Sequence, residues 1–172
     1  STLERYLIWA GNALKGDFGM SYAFNKPVWE IIKDRIPATL YLSIASIVLS
    51  VPLGILLGII TAVFRKKWPD TVITLLANIF NCLPQFWVGI LLLYVFCIKL
   101  RLLPSLGFGF PSKVGWAQFI RTSILPVICG SLNAIASFTR QTRTSMLEVI
   151  RQDFIRTARS KGISEKKVYL KH

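Results

Sequence analysis

The residues in this sequence most capable of polar chemistry in an apolar setting are three side-chain amides. Asn78, Asn81 and Gln85 lie within residues 71–98, a stretch that carries no charge at all. With Thr74 before them and Gly89 after them they recur every three or four residues, a spacing that puts them on one face of a helix. An amide offers two donors and an acceptor, and in hydrocarbon each would be costly without a partner. Two uses fit the pattern. The amides can hydrogen-bond to a neighbouring helix, or they can line a polar path, with Trp87 as a further lining candidate. Pro84 sits among them and predicts a break in mid-helix, where freed carbonyls would add to the same polar face.

A second group lies near the C-terminus, at residues 153–162: Asp-Phe-Ile-Arg-Thr-Ala-Arg-Ser-Lys-Gly. Leu147, Ile150, Phe154 and Ala158 fall at helical spacing and form one apolar stripe on a helix otherwise rich in arginine. Arg159 and Lys161 occupy its last turn, Gly162 suits the left-handed position after it, and Ser164 with Glu165 can start a second helix. Two short helices meeting at a bend, with small Ala158 near the tip, suit insertion into a groove on a partner.

No catalytic grouping accompanies these sets. The sequence has no Gly-x4-Gly-Lys-Ser/Thr phosphate loop, a single histidine at position 172, and no carboxylate pair within an apolar stretch. Cys82, Cys97 and Cys129 show no metal-ligand spacing and read as small packing residues. The expectation is no catalytic residue, no metal and no cofactor bound by this chain, which argues against an integral-membrane enzyme.

The elements that hold these groups follow from charge segregation. The chain has 172 residues, 53% hydrophobic, with a net charge of +13. Those values coexist because residues 38–64, 71–98 and 122–139 contain none of the 29 charged side chains. A lysine or arginine at mid-bilayer costs roughly 2.5–3.5 kcal/mol, so three such runs predict three transmembrane helices. The predicted fold class is all-α: a polytopic α-helical membrane protein.

Residues 1–37 read as a segment outside the bilayer, with a short helix at 3–14, a turn at 16–19 and a helix opening at Pro27 and running to Lys33. Pro37 marks the entrance to the first span. In that span Thr39, Ser43, Ser46, Ser50, Gly54, Gly58 and Thr61 share one face, a pattern that favours close helix packing; Pro52 predicts a bend. Between the last two spans, residues 103–111 form an irregular Gly/Pro-rich loop. The third helix is expected to continue past the membrane into 141–150.

Orientation follows from loop charge. Residues 65–70 together with 140–172 hold 12 Lys/Arg in 39 residues, while 1–37 together with 99–121 hold nine in 60. The denser pair belongs in the cytoplasm, which makes 1–37 extracytoplasmic. Basic residues in the tail are then explained by topology and by contact with anionic membrane lipid, and nucleic acid is not an expected partner.

At this point the sequence resembles a known family, the permease subunits of binding-protein-dependent ABC importers. Their cytoplasmic loop carries Glu-Ala-Ala-x-x-x-Gly, and residues 156–162, Arg-Thr-Ala-Arg-Ser-Lys-Gly, keep Ala158 and Gly162 while departing at Arg156 and Thr157. The longer string 147–162 is similar to the dipeptide, oligopeptide and nickel branch, where that departure is usual. Further matching strings are Gly-Asp-Phe-Gly-Met-Ser at 16–21, Pro27-Val28, Arg-Ile-Pro-Ala-Thr-Leu at 35–40, Leu-Pro-Gln-Phe-Trp-Val-Gly at 83–89 and Leu-Leu-Pro at 102–104. The long segment before Pro37 favours the branch's first permease type.

The resemblance implies the transmembrane domain of a type I ABC importer, present in part, since family members have more spans than the three legible here. It implies a second permease subunit, two cytoplasmic ATPase subunits that bind ATP and magnesium, and an extracytoplasmic substrate-binding protein. It implies a multi-pass protein of a bacterial inner membrane, importing peptides, nickel chelates or glutathione-like substrates. ATPase docking falls to Ala158 and Gly162, with Asp153, Arg156, Thr157 and Arg159 in support. The competing reading is a truncated membrane adaptor that does not transport and whose basic tail binds a soluble partner or anionic lipid.

Overall fold

The computed structural model describes residues 1–150 together with Gln152, Ile155 and Ser160. Among them it is all-α, with six α-helices: α1 Thr2–Leu14, α2 Val28–Val63, α3 Trp68–Cys82, α4 Gln85–Leu93, α5 Pro111–Val114 and α6 Trp116–Ile150. A π-helical stretch, Tyr94–Lys99, continues α4. Helix α1 is opened by a capping box in which the Ser1 side chain accepts from the Glu4 N–H and Glu4 reaches back to the N-terminus. The turn after it is closed by the Gly19 N–H donating to Asp17 Oδ1 at 2.9 Å.

Helices α2 and α6 are each long and apolar enough to cross a bilayer, and α3 with α4 forms a third candidate bent by 105° at Leu83–Pro84. The break falls where Pro84 lacks an N–H and its ring opposes a continuous helix. Two other prolines behave differently. Pro37 and Pro52 both lie inside the single helix α2, so the expected helix ending at Lys33 and the span entered at Pro37 are one element. Each ring removes one backbone bond, whereas opening the helix in an apolar segment would leave several N–H and C=O groups unpaired. Helix α6 likewise begins before and ends after the charge-free run 122–139, because charge marks where lipid ends and not where helix ends.

The spine of the molecule is α2 against α6, running parallel. Ser46 Oγ donates to the Val127 carbonyl, and Gly54 and Gly58 meet α6 at 135–142. A Cβ at Gly54 would lie 2.5 Å from Phe138 Cβ, and one at Gly58 would lie 2.5 Å from Thr142 Cβ and 2.8 Å from the Thr139 carbonyl. Only glycine lets the two helices approach this closely. Ser50, Thr61, Ser131, Ala136 and Thr139 are buried along the same contact. The small-residue stripe of the first span is therefore a packing face.

At one end of this spine an aromatic cluster closes the loop that the sequence showed only as irregular. Tyr41 lies 4.8 Å from Phe119 between ring centroids, and Phe108 and Phe110 stack around both. At the other end the short connection from α2 to α3 passes through Lys66 at φ 62° and is held by Asp70.

Candidate functional site

The amide face of α3 and α4 meets α6 along a second contact. Asp70 touches α6 at Arg143, Asn81 touches it at Ser137 and Gln85 at Cys129. A recess of about 230 Å³ continues the contact from Gly89 and Cys97 to Thr122 and Leu125. The bent pair thus covers α6 from its C-terminal part back to its N-terminal part, opposite in direction to α2. On a helix rising 1.5 Å per residue, the stretch between Arg143 and Thr122 is roughly 30 Å, about the thickness of a bilayer's hydrocarbon.

Along this face the bonds are long. Ser137 Oγ donates to Asn81 Oδ1 at 3.5 Å, Gln85 Nε2 donates to the Cys129 carbonyl at 3.5 Å, and Cys129 Sγ donates to the Gln85 carbonyl at 3.6 Å. Asn81 Nδ2 is buried and has no partner among the described residues. The structure therefore brings Asn81 and Gln85 to α6 beside the break, and it leaves Asn78 and Trp87 exposed. Thr74, the first member of the stripe, is turned to Asp70, to whose Oδ1 its hydroxyl donates at 3.2 Å.

One strong polar contact terminates this face. Arg143 donates from Nε to Asp70 Oδ1 at 2.8 Å and from Nη2 to Asp70 Oδ2 at 2.9 Å, a two-pronged pair. The Lys66 N–H adds a third bond at 3.0 Å and Thr74 the fourth. The Arg143 hydrogen bond holds the Asp70 carboxyl below its usual range, with burial opposing, and Asp70 in turn raises Arg143. Sequence reasoning passed over this pair, although a signal existed: Asp70 is the sole acidic residue between Asp34 and Glu148.

The docking candidates Asp153, Arg156, Thr157, Ala158, Arg159 and Gly162 lie outside the described residues. Of that segment Ile155 and Ser160 are described, and Ile155 is buried. It lines a cavity of about 620 Å³ with Ile55, Ile59, Phe138, Met146 and Ile150 at the end of the α2–α6 spine. Among the described residues no group of three or more His, Cys, Asp or Glu side chains is placed to hold a metal ion.

Long apolar helices, a helix broken at Pro84 and no strand among the described residues define an integral membrane protein of all-α class. Its family follows from comparison. The family described as the binding-protein-dependent transport system inner membrane component matches residues 54–172, and this chain belongs to it. A protein of Brucella abortus (strain 2308), provisionally described as a peptide transport system permease protein, is 38% identical over 166 residues, covering 95% of this chain and 52% of that protein. The glutathione transport system permease protein GsiC of Escherichia coli (strain K12) is 39% identical over 161 residues, covering 94% of this chain and 50% of GsiC. The chain spans about half the length of the curated relatives it matches.

Proposed function

We propose that this chain is part of a permease subunit of an ATP-driven importer in a bacterial inner membrane, with di- and oligopeptides as the substrate class. Three crossings are proposed: α2, the broken pair α3–α4, and α6. Residues 1–37 and 99–121 then face outward, and 65–70 and 140–172 face the cytoplasm. The observation that carries this reading is the family match over residues 54–172, which includes both the broken helix and the basic tail. The peptide and glutathione permeases among its relatives support the substrate class.

In this scheme the path is formed with a second permease subunit and receives substrate from an extracytoplasmic binding protein. Asn81, whose buried donor lacks a partner among the described residues, and Gln85 offer hydrogen bonds at the helix break, with Asn78 and Trp87 as further lining candidates. Peptide backbones carry donors and acceptors that such amides can meet without imposing sequence selectivity. Two cytoplasmic ATPase subunits, which bind ATP and magnesium, dock on Asp153, Arg156, Thr157, Ala158, Arg159 and Gly162. Helix α6 runs as one element to Ile150, with its single internal proline, Pro126, far from that end, so a push on the tail is delivered to a continuous helical segment.

Gly162→Val in the full-length protein tests the docking role. The expected result is an assembled complex that hydrolyses ATP with strongly reduced uptake, because a β-branched residue is strained in a left-handed turn. Wild-type uptake by that variant refutes the role. Failure of ATPase subunits to co-purify with stable wild-type protein points instead to a membrane adaptor.

A further inference from the structure

The Asp70–Arg143 pair is used by neither the path nor the docking surface, yet it joins α3 to α6 by two short hydrogen bonds, at 2.8 and 2.9 Å. The Asp70 side chain keeps 9% of its exposure and that of Arg143 keeps 29%. Burying a carboxylate and a guanidinium together is an expensive way to hold a loop, since desolvation offsets much of their attraction. A solvated aspartate would serve equally as a helix-start residue for α3. What burial and the two-pronged fork add is a fixed orientation between two elements.

Those elements are the ones that have to move together. Asp70 belongs to the first turn of α3 and reaches back through Lys66 to the α2–α3 connection. Arg143 sits seven residues before Ile150, roughly 10 Å from the end of α6 on a 1.5 Å rise. Around them the charges are mostly positive, with Glu148 five residues beyond Arg143 the nearest other carboxylate in sequence. Arg65, Lys66, Lys67 and Arg140 are the neighbouring ionisable side chains in sequence, and no second carboxylate occurs from 35 to 147. Among the described residues Arg143 has this one acidic partner, and the other side-chain bonds between α6 and α3–α4 are 3.5 Å or longer. Of the polar contacts described there, this pair is therefore the firmest link between α6 and α3.

We infer that Asp70 and Arg143 are positioning residues for energy coupling, a hinge pin through which movement of the C-terminal end of α6 reaches the broken helix. The inference rests on the proposed docking of ATPase subunits at 153–162. It assigns no substrate or nucleotide contact to either residue.

The test uses the full-length protein assembled with its second permease subunit and ATPase subunits in proteoliposomes. The readout is the factor by which the binding protein stimulates ATP hydrolysis, normalised to assembled complex. Asp70→Asn, Arg143→Lys and the double variant Asp70→Asn/Arg143→Gln are compared with wild type. The expected result is retained assembly in at least the double variant, which leaves no unpaired charge, with stimulation lowered about five- to tenfold. Arg143→Lys keeps the charge but loses the fork and falls less. A purely structural pair predicts less assembled complex but wild-type stimulation per complex, and that result overturns the inference. Failure of all three variants to assemble also overturns it, because the pair is then a folding requirement. A wild-type complex that binds no ATPase refutes the docking reading itself, whereas a stimulated wild type with unchanged variants refutes this inference alone.

Discussion

Helix α6 has two faces that differ in kind. Toward α2 it is tightly interlocked at its centre, with a cavity of about 620 Å³ beside Ile55 and Ile59 at one end: Gly54 and Gly58 admit Phe138 and Thr142 at distances no side chain could share, and Ser50, Thr61 and Ser131 are fully enclosed. Toward α3 and α4 it is fastened at one end by Asp70 and Arg143, and beyond that it meets long amide contacts, an unpartnered Asn81 donor and a recess. Interdigitated small residues resist sliding and separation, because interiors at close-packed density deform little. Long hydrogen bonds at a proline break resist much less. On this difference we propose that α2 and α6 move as one rigid body, with α3–α4 the element that pivots on it.

The largest effect is expected at the pivot. Arg143→Met leaves Asp70 buried without its partner and should lower stability by roughly 3–5 kcal/mol, read as a drop in thermal unfolding midpoint in detergent. Next comes the closed face. Gly58→Leu forces α2 and α6 apart and should cost about 1–3 kcal/mol, with loss of any disulfide engineered between α2 and α6. An unchanged midpoint in Gly58→Leu would mean that the two faces do not differ as described.

Of the two faces of α6, it is the pivot that carries a carboxylate for acid to act on. The Asp70 pKa is lowered from the ordinary value of 3.8 by its bond to Arg143. Its contribution to stability is therefore complete above that value and lost as pH falls through the lowered one. Asp70→Asn should remove that part of the acid sensitivity, visible in unfolding midpoints measured from about pH 5 downward to about pH 1. The smallest effect is expected in the open face. Asn81→Leu deletes a donor that has no partner among the described residues and one long bond from Ser137, and should change stability by less than about 1 kcal/mol, while altering transport if the amide lines the path.

Much of this was legible in the sequence, for identifiable reasons. Charge-free runs located the apolar segments, and the recurrence of Gly54, Gly58 and Thr61 marked a packing face. Pro84 located the break. Pro37 misled, because a proline in an apolar helix removes one bond without ending the helix. The parallel pairing of α2 with α6 was not legible, since periodicity states which face is small but not what covers it. The aromatic cluster of Tyr41, Phe108, Phe110 and Phe119 was hidden because its members lie nearly 80 residues apart across a loop. Asp70 was visible as a lone carboxylate among many cations, a signal weaker in composition than its geometry deserves.

The two-body account is tested most directly by distances measured within the assembled, full-length protein. Spin labels on a background lacking native cysteines would be placed at Leu56 and Gln141 for the closed face, and at Ile79 and Gln141 for the open one. These positions are exposed. With nucleotide and binding protein added, the account predicts one unchanged, narrow distance between Leu56 and Gln141 and a shifted or split distribution between Ile79 and Gln141. Equal shifts in both pairs, or a moving α2–α6 pair beside a fixed α3–α6 pair, would contradict it.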